Sequence, residues 1–208
     1  MRSSSPFSAE VERWRPLVNQ LAGDLPVNFL LAWIQRESDG NPCSYTKYGE
    51  AGIFQLMPPD NITTAGTTLS ALRAGCAGGT QSQFRQLSAA ERYEQVRSGV
   101  QYVNHMRTIA HDKLDAAGVR WPESSKDFWA VVKLQHAYPA PTSRWLAGAQ
   151  QQLGHPPRSW AELRSTIDGY EAYLNNAEWV GSFGGGRRTG TLIAWAGLAT
   201  IAYLAIKT

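Results

Sequence analysis

The sequence has little net charge, few cysteines and no metal-binding pattern. Its 20 Lys and Arg residues nearly balance 17 Asp and Glu, and the formal net charge of +3 is too small to predict nucleic-acid binding. The four histidines and two cysteines show no spacing typical of a metal site, so we expect no metal and no other cofactor. The first residues lack the apolar stretch of a secretory signal, and a cleaved leader is therefore not expected.

The sequence also lacks any sustained alternation of apolar and polar residues, which is the pattern of β-strands. Apolar residues recur instead at helical spacing, and helix-start motifs begin at Ser88, Ser124 and Ser159. We therefore predict a mainly α protein, with helices that include residues 126–138 and 160–180. The length of 208 residues suits one domain. The expected parts are an N-terminal extension (1–19), a domain (20–180), a glycine-rich linker (181–188) and a transmembrane helix (189–206).

The transmembrane prediction depends on residues 189–206, which contain no charged side chain. A helix of that length spans about 27 Å, close to the hydrocarbon thickness of a bilayer. Arg187 and Arg188 precede the stretch, and Lys207 follows it. We expect this helix to anchor the protein in a viral or bacterial membrane. The alternative is a buried helix at the end of the domain.

A helix near the N-terminus ends in an acidic residue on its apolar face. Asp24 and Pro26 predict its start, and the break at Gly40 predicts its end. At 100° per residue, Glu37 and Ser38 fall within the apolar face. That face consists of Leu30, Leu31, Trp33 and Ile34. Because burial disfavours the charged form, we expect a protonated acid there, as cleavage of a glycosidic bond requires. The alternative is a structural carboxylate that bonds a loop amide or pairs with an arginine from elsewhere.

Three motifs in the same part of the chain resemble those of one enzyme family. They are Glu37-Ser38-x-x-Asn41-Pro42, Gly52-Ile53-Phe54-Gln55-Leu56-Met57-Pro58 and Ala137-Tyr138. Over residues 20–150 the chain resembles the soluble lytic transglycosylases. The resemblance implies a lysozyme-like, goose-type helical domain that cleaves peptidoglycan between N-acetylmuramic acid and N-acetylglucosamine. The product would carry a 1,6-anhydro ring on its muramic end.

The resemblance also implies a role for each matching residue. Glu37 would be the single catalytic group, which protonates the departing oxygen as an acid and takes the proton of the attacking 6-hydroxyl as a base. The other matching residues would bind substrate: Ser38, Gly52, Ile53, Phe54, Gln55 and Tyr138. Pro139 stands where the family usually has asparagine, so contacts after Tyr138 are not carried over.

Five further residues leave alternatives open. Glu50 is a second carboxylate that a hydrolytic muramidase would need, and Asp39 is another; more simply, Glu50 is solvated and Asp39 is a turn residue. His136 belongs either to the core or to the wall of a cleft. Cys43 and Cys76 either form a disulfide or remain free thiols.

These features lead to one main hypothesis. We expect a peptidoglycan lytic transglycosylase whose partners are glycan strands, a lipid membrane bound through residues 189–206, and proteins of a virion or envelope complex. Nucleic acid is not an expected partner. Because no export signal is visible, we expect either a phage virion protein or a bacterial envelope protein. The rival hypotheses are a hydrolytic muramidase and a non-catalytic wall-binding or structural protein of the same fold.

Overall fold

The protein is mainly helical, as predicted. A computed structural model describes residues 5–44, 46, 50–56 and 87–185. These ranges contain eight helices and no β-strand, although Ala51 and Leu56 form an isolated antiparallel bridge. The helices are α1 (Ala9–Glu12), α2 (Arg15–Leu21), α3 (Val27–Ser38), α4 (Ala89–Ala116), α5 (Lys126–Ala137), α6 (Pro139–Leu153), α7 (Trp160–Ser165) and α8 (Glu171–Gly181).

The prediction of a transmembrane helix is corrected. Within the ranges given above, no helix is both long enough and apolar enough to cross a membrane. Within the described residues, the fold class is therefore mainly α. The stretch that led to the prediction, residues 189–206, lies outside the described residues.

Local signals set the bounds of the helix that contains Glu37. Helix α3 begins after Pro26, as predicted. The backbone becomes left-handed at Asp39 (φ 50°) and Gly40 (φ 78°), and this ends the helix where the sequence predicts. Residues 29–34 are all buried. Glu37 therefore lies about one turn beyond a helical segment that is surrounded by the hydrophobic core.

The helix predicted over residues 160–180 forms as two helices, α7 and α8. Helix α7 begins at Ser159, whose side chain caps it as predicted. Between the two helices, Gly169 (φ 77°) and Tyr170 (φ 61°) adopt left-handed backbone conformations that a continuous α-helix does not contain. The predicted capping box at Ser88 is confirmed at the start of α4.

Helix α5 lies at the centre of the fold. It begins after Ser125, one residue beyond the predicted Ser124. Residues 128–135 are all buried, so the helix has packing partners around most of its circumference. On one side Phe29 of α3 packs against Trp129, with ring centroids 4.7 Å apart. This packing brings the ends of α3 and α5 together.

Helix α8 packs antiparallel to α5. At the end of α8, Gly181 lies against Ala130, and Gly185 lies against the backbone of Lys126 at the start of α5. At the beginning of α8, Tyr173 lies beside Tyr138, which follows the last residue of α5.

The residues assigned to an N-terminal extension, 1–19, include α1 and most of α2, and they pack in the same core. Val11, Trp14 and Val18 are fully buried. The indole nitrogen of Trp14 donates a hydrogen bond to the carbonyl of Gly40 at 2.9 Å. This contact fastens the N-terminal segment to the turn that ends α3.

Candidate functional site

Glu37 lies in the last turn of α3 and is largely but not completely buried. Its side chain retains 17% of its accessible surface. The residues one turn earlier, Trp33 and Ile34, are fully buried. The carboxyl group therefore lies at the boundary between the core and solvent, where a ligand can still reach it.

Lys133 of α5 is the main partner of Glu37. Its ammonium group donates a hydrogen bond to Oε1 of Glu37 and lies 4.4 Å from the centre of the Trp33 ring. The Lys133 side chain is only 2% exposed. Arg36, the neighbouring cation on α3, lies instead over the ring of Trp179. The carboxyl group is thus neutralised by a buried lysine from another helix.

Lys133 was not predicted as a site residue, although the sequence contains a signal for it. It is the one charged residue within the buried stretch 128–135 of α5. A lysine buried on a central helix needs an anionic partner, because an unpaired charge in the core is very unfavourable. Searching for that partner would have led to a carboxylate on an equally buried helix, and hence to Glu37.

His136 and Tyr102 extend the site beyond the ion pair. Nε2 of His136 lies 3.7 Å from Oε1 of Glu37, and Nδ1 lies 2.9 Å from the hydroxyl of Tyr102. Burial and the nearby Lys133 ammonium hold the pKa of His136 well below its ordinary value of 6.5. The imidazole is therefore neutral near pH 7. If the Tyr102 hydroxyl donates to Nδ1, the ring N–H lies on Nε2 and faces Glu37.

Ser38 connects α3 to the turn formed by residues 52–55. Its hydroxyl lies 3.2 Å from the carbonyl of Ile34 and 3.0 Å from the carbonyl of Ile53, and it donates toward both. The amide of Ile53 in turn donates to the side chain of Gln95 at 3.0 Å. The turn is thus attached to α3 on one side and to α4 on the other. Through these bonds, Ser38 holds the turn of residues 52–55 against the end of α3.

The side chains of the turn point into the protein. Ile53 and Phe54 are each 1% exposed. The side-chain amide nitrogen of Gln55 donates hydrogen bonds to the carbonyls of Ser44 at 2.9 Å and Gly52 at 2.8 Å. Gly52 (φ 78°) has the left-handed backbone that favours glycine. The side chains of this turn stabilise its shape, and their predicted role in substrate binding stays a prediction.

The two carboxylates considered for a hydrolase have other partners. Asp39 accepts hydrogen bonds from the Ser8 hydroxyl at 2.9 Å and from the amide of Gln35. Glu50 accepts a hydrogen bond from the Thr46 hydroxyl at 2.9 Å. Asp39 therefore ties the end of α3 to the N-terminal segment, and Glu50 stabilises its own loop.

Tyr138 lies in a group of aromatic side chains. Its ring centre is 4.8 Å from that of Tyr173, 5.2 Å from Tyr170 and 5.9 Å from Trp145. A hydrogen bond with Tyr173 raises the pKa of Tyr138 to about 12. We call these four residues the Tyr138 cluster. The hydroxyl that contacts the surroundings of Glu37 belongs instead to Tyr102, through His136.

Cys43 is buried and disulfide-bonded. Cys76 lies outside the described residues, so its pairing with Cys43 stays a prediction. The backbone amide of Cys43 donates to the side chain of Asn41 at 3.0 Å. These bonds fix the chain directly after the turn that ends α3.

No family model, no curated protein and no solved structure matches the chain. The resemblance to the lytic transglycosylases therefore depends on the motifs within residues 20–150 alone. Both the lysozyme-like fold and the family assignment stay predictions.

Proposed function

We propose that the protein is a peptidoglycan lytic transglycosylase in which Glu37 is the single catalytic acid and base. The observation that best supports the proposal is the position of Glu37. Its carboxyl group follows a fully buried helix segment, remains 17% exposed, and lies beside the turn that Ser38 holds in place. The motifs of the sequence and the position of this carboxyl group agree.

The proposed reaction has two proton transfers at one carboxyl group and needs no water. The acid gives its proton to the glycosidic oxygen, and the bond from that oxygen to the anomeric carbon of the muramic residue breaks. The 6-hydroxyl of the same residue bonds to that carbon, and the proton of this hydroxyl passes to the carboxylate, which becomes the acid again. Lys133 donates a hydrogen bond to Oε1 of the same carboxyl group.

The hydrogen bonds of Asp39 and Glu50 favour transglycosylation over hydrolysis. A hydrolase of two carboxylates needs the second one to activate water or to attack the sugar. Asp39 is bonded to Ser8, and Glu50 is bonded to Thr46. Single-residue chemistry at Glu37 is therefore the simpler proposal.

One observation favours a second candidate function, that of a non-catalytic wall-binding protein. The buried Lys133 makes Glu37 part of an ion pair of a kind that also occurs for purely structural reasons. In that case the carboxylate balances the lysine, and the surface around it only binds glycan. The virion or envelope location remains an expectation under either candidate.

Digestion of purified peptidoglycan tests both candidates. Mass spectrometry of the soluble products should find 1,6-anhydro ends, and the Glu37→Gln variant should produce none. Asp115→Asn is a suitable control, because Asp115 is a surface carboxylate paired with Arg120. Reducing ends would indicate a muramidase. Binding without any cleavage by the unaltered protein would indicate the wall-binding candidate.

A further inference from the structure

The Tyr138 cluster is partly exposed to solvent. Tyr170 is 47% exposed and Tyr173 is 46% exposed, while Tyr138 and Trp145 are partly buried beneath them. Tyr170 also lies 5.3 Å from Trp145, measured between ring centres. The four rings meet at tilted or edge-to-face angles, so they form a stepped aromatic surface supported from below.

The backbone of this surface is strained at its most exposed ring. Tyr170 has φ 61° and ψ 19°, a left-handed conformation that a bulky residue rarely adopts. It precedes α8 at the N-cap position but makes no side-chain capping bond. Asparagine would fit both the conformation and the capping position better. Backbone and capping preferences therefore do not explain a tyrosine here, and its role lies in its ring.

None of the four side chains of the cluster carries a charge at neutral pH, and one nearby ionic residue is already paired. The raised pKa of Tyr138 keeps its hydroxyl protonated at physiological pH. Glu171, which follows Tyr170, is paired with Arg164 at 2.9 Å. A surface that offers aromatic faces and hydroxyl groups without net charge suits a neutral sugar ring, which has apolar C–H faces and polar edges. It does not suit the phosphate backbone of a nucleic acid.

The cluster is also close to the candidate active site. Tyr138 follows His136 by two residues and Lys133 by five, and both of those side chains face Glu37. Along a helix, five residues correspond to roughly 7.5 Å. The cluster therefore adjoins the end of α5 that carries Lys133 and His136.

We propose that the Tyr138 cluster is a binding subsite for a sugar residue of the glycan strand, with Tyr170 and Tyr173 as its stacking faces. The choice of glycan as ligand depends on the proposed function, but binding at the cluster does not require that Glu37 be catalytic. Loss of cleavage and loss of this subsite are therefore separable.

Binding to a soluble oligomer of β-1,4-linked N-acetylglucosamine tests the subsite. Tyr170→Asn combined with Tyr173→Ala removes both exposed rings. Asparagine suits the left-handed backbone and alanine suits the helix, so this variant should remain folded despite the loss of the two rings. We expect its affinity to fall at least tenfold, as followed by tryptophan fluorescence or calorimetry. Tyr173→Phe keeps the ring and should bind within about twofold of the unaltered protein.

Tyr93→Ala is the matched control, because Tyr93 is an exposed tyrosine (37%) on α4 outside the cluster. Unchanged affinity in the Tyr170→Asn/Tyr173→Ala variant, or an equal loss in Tyr93→Ala, would overturn the subsite. If the Tyr170→Asn/Tyr173→Ala variant keeps both its affinity and its cleavage activity, the subsite proposal is wrong and the proposed function is unaffected. Cluster-dependent binding without any cleavage would leave the subsite standing and remove the proposed function.

Discussion

Lys133 donates a hydrogen bond to Glu37 across 96 residues of sequence. The contact joins the end of α3 to the last part of α5 and fixes the carboxyl group beside the turn of residues 52–55. It also changes the chemistry expected from the sequence. Glu37 is one member of an ion pair, whereas the sequence predicted an isolated buried acid.

The stability of the protein should depend on both members of this pair. Glu37→Gln leaves the 2% exposed Lys133 without its anion and should lower the free energy of unfolding by about 3 kcal/mol. Adding Lys133→Met removes the unpaired charge and should restore most of the loss. Urea unfolding measures both effects.

The same two variants separate a catalytic role from a structural one. The double variant Glu37→Gln/Lys133→Met should be folded and stable, and yet unable to cleave peptidoglycan. Cleavage by that variant would remove Glu37 from the mechanism. A single Glu37→Gln variant as stable as the unaltered protein would instead mean that the ion pair contributes little to the fold.

His136 should make the protein less stable in mild acid. Its pKa in the folded protein lies well below 6.5, so below pH 6.5 the unfolded chain binds a proton that the folded protein does not. The free energy of unfolding should therefore fall as pH drops below about 6.5. His136→Gln should flatten this dependence between pH 7 and 5. Equal slopes in His136→Gln and in the unaltered protein would contradict the prediction.

Two glycine substitutions should have opposite effects on stability. A β-carbon at Gly99 would overlap the ring of Phe54, whereas a β-carbon at Gly148 would meet open space. We expect Gly99→Ala to cost about 1–3 kcal/mol through overpacking. Gly148→Ala should stabilise α6 by about 0.5–1 kcal/mol. Thermal unfolding measures both variants. Because Phe54 belongs to the turn beside Glu37, Gly99→Ala should also reduce cleavage, and normal activity would show that the turn tolerates displacement.

Tyr138 should be among the last tyrosines to ionise. Its pKa is raised to about 12, and the hydrogen bond with Tyr173 is the largest cause of this shift. In an ultraviolet titration, Tyr138→Phe should remove a phenol that titrates near pH 12. Tyr173→Phe removes the hydrogen-bonding partner and should move that transition toward pH 10. A titration curve unchanged in both variants would show that the two hydroxyls do not interact.

Features that depend on neighbouring residues could be predicted from the sequence. The bounds of α3 follow from Pro26 at its start and from Gly40 at its end, and the start of α4 follows from the capping box at Ser88. Such signals act within a few residues of the chain. The break between α7 and α8 was missed because Tyr170 adopts a backbone conformation unusual for its residue type.

Features that depend on distant contacts could not be predicted in the same way. The helical wheel placed Glu37 on an apolar face, but it could not show which helix would cover that face. Tyr138 was expected to bind substrate because of its motif, but the motif could not show which rings would surround it. Its ring neighbours include Tyr170 and Tyr173, which α8 brings to the end of α5.

The antiparallel packing of α5 and α8 determines where the polypeptide leaves the described domain. Gly185 lies against Lys126 at the first residue of α5, while Lys133, His136 and Tyr138 belong to its opposite end. Twelve helical residues separate the two ends by roughly 18 Å. A fusion partner or surface tether joined directly after residue 185 would therefore begin roughly 18 Å from the end of α5 that carries Lys133 and His136.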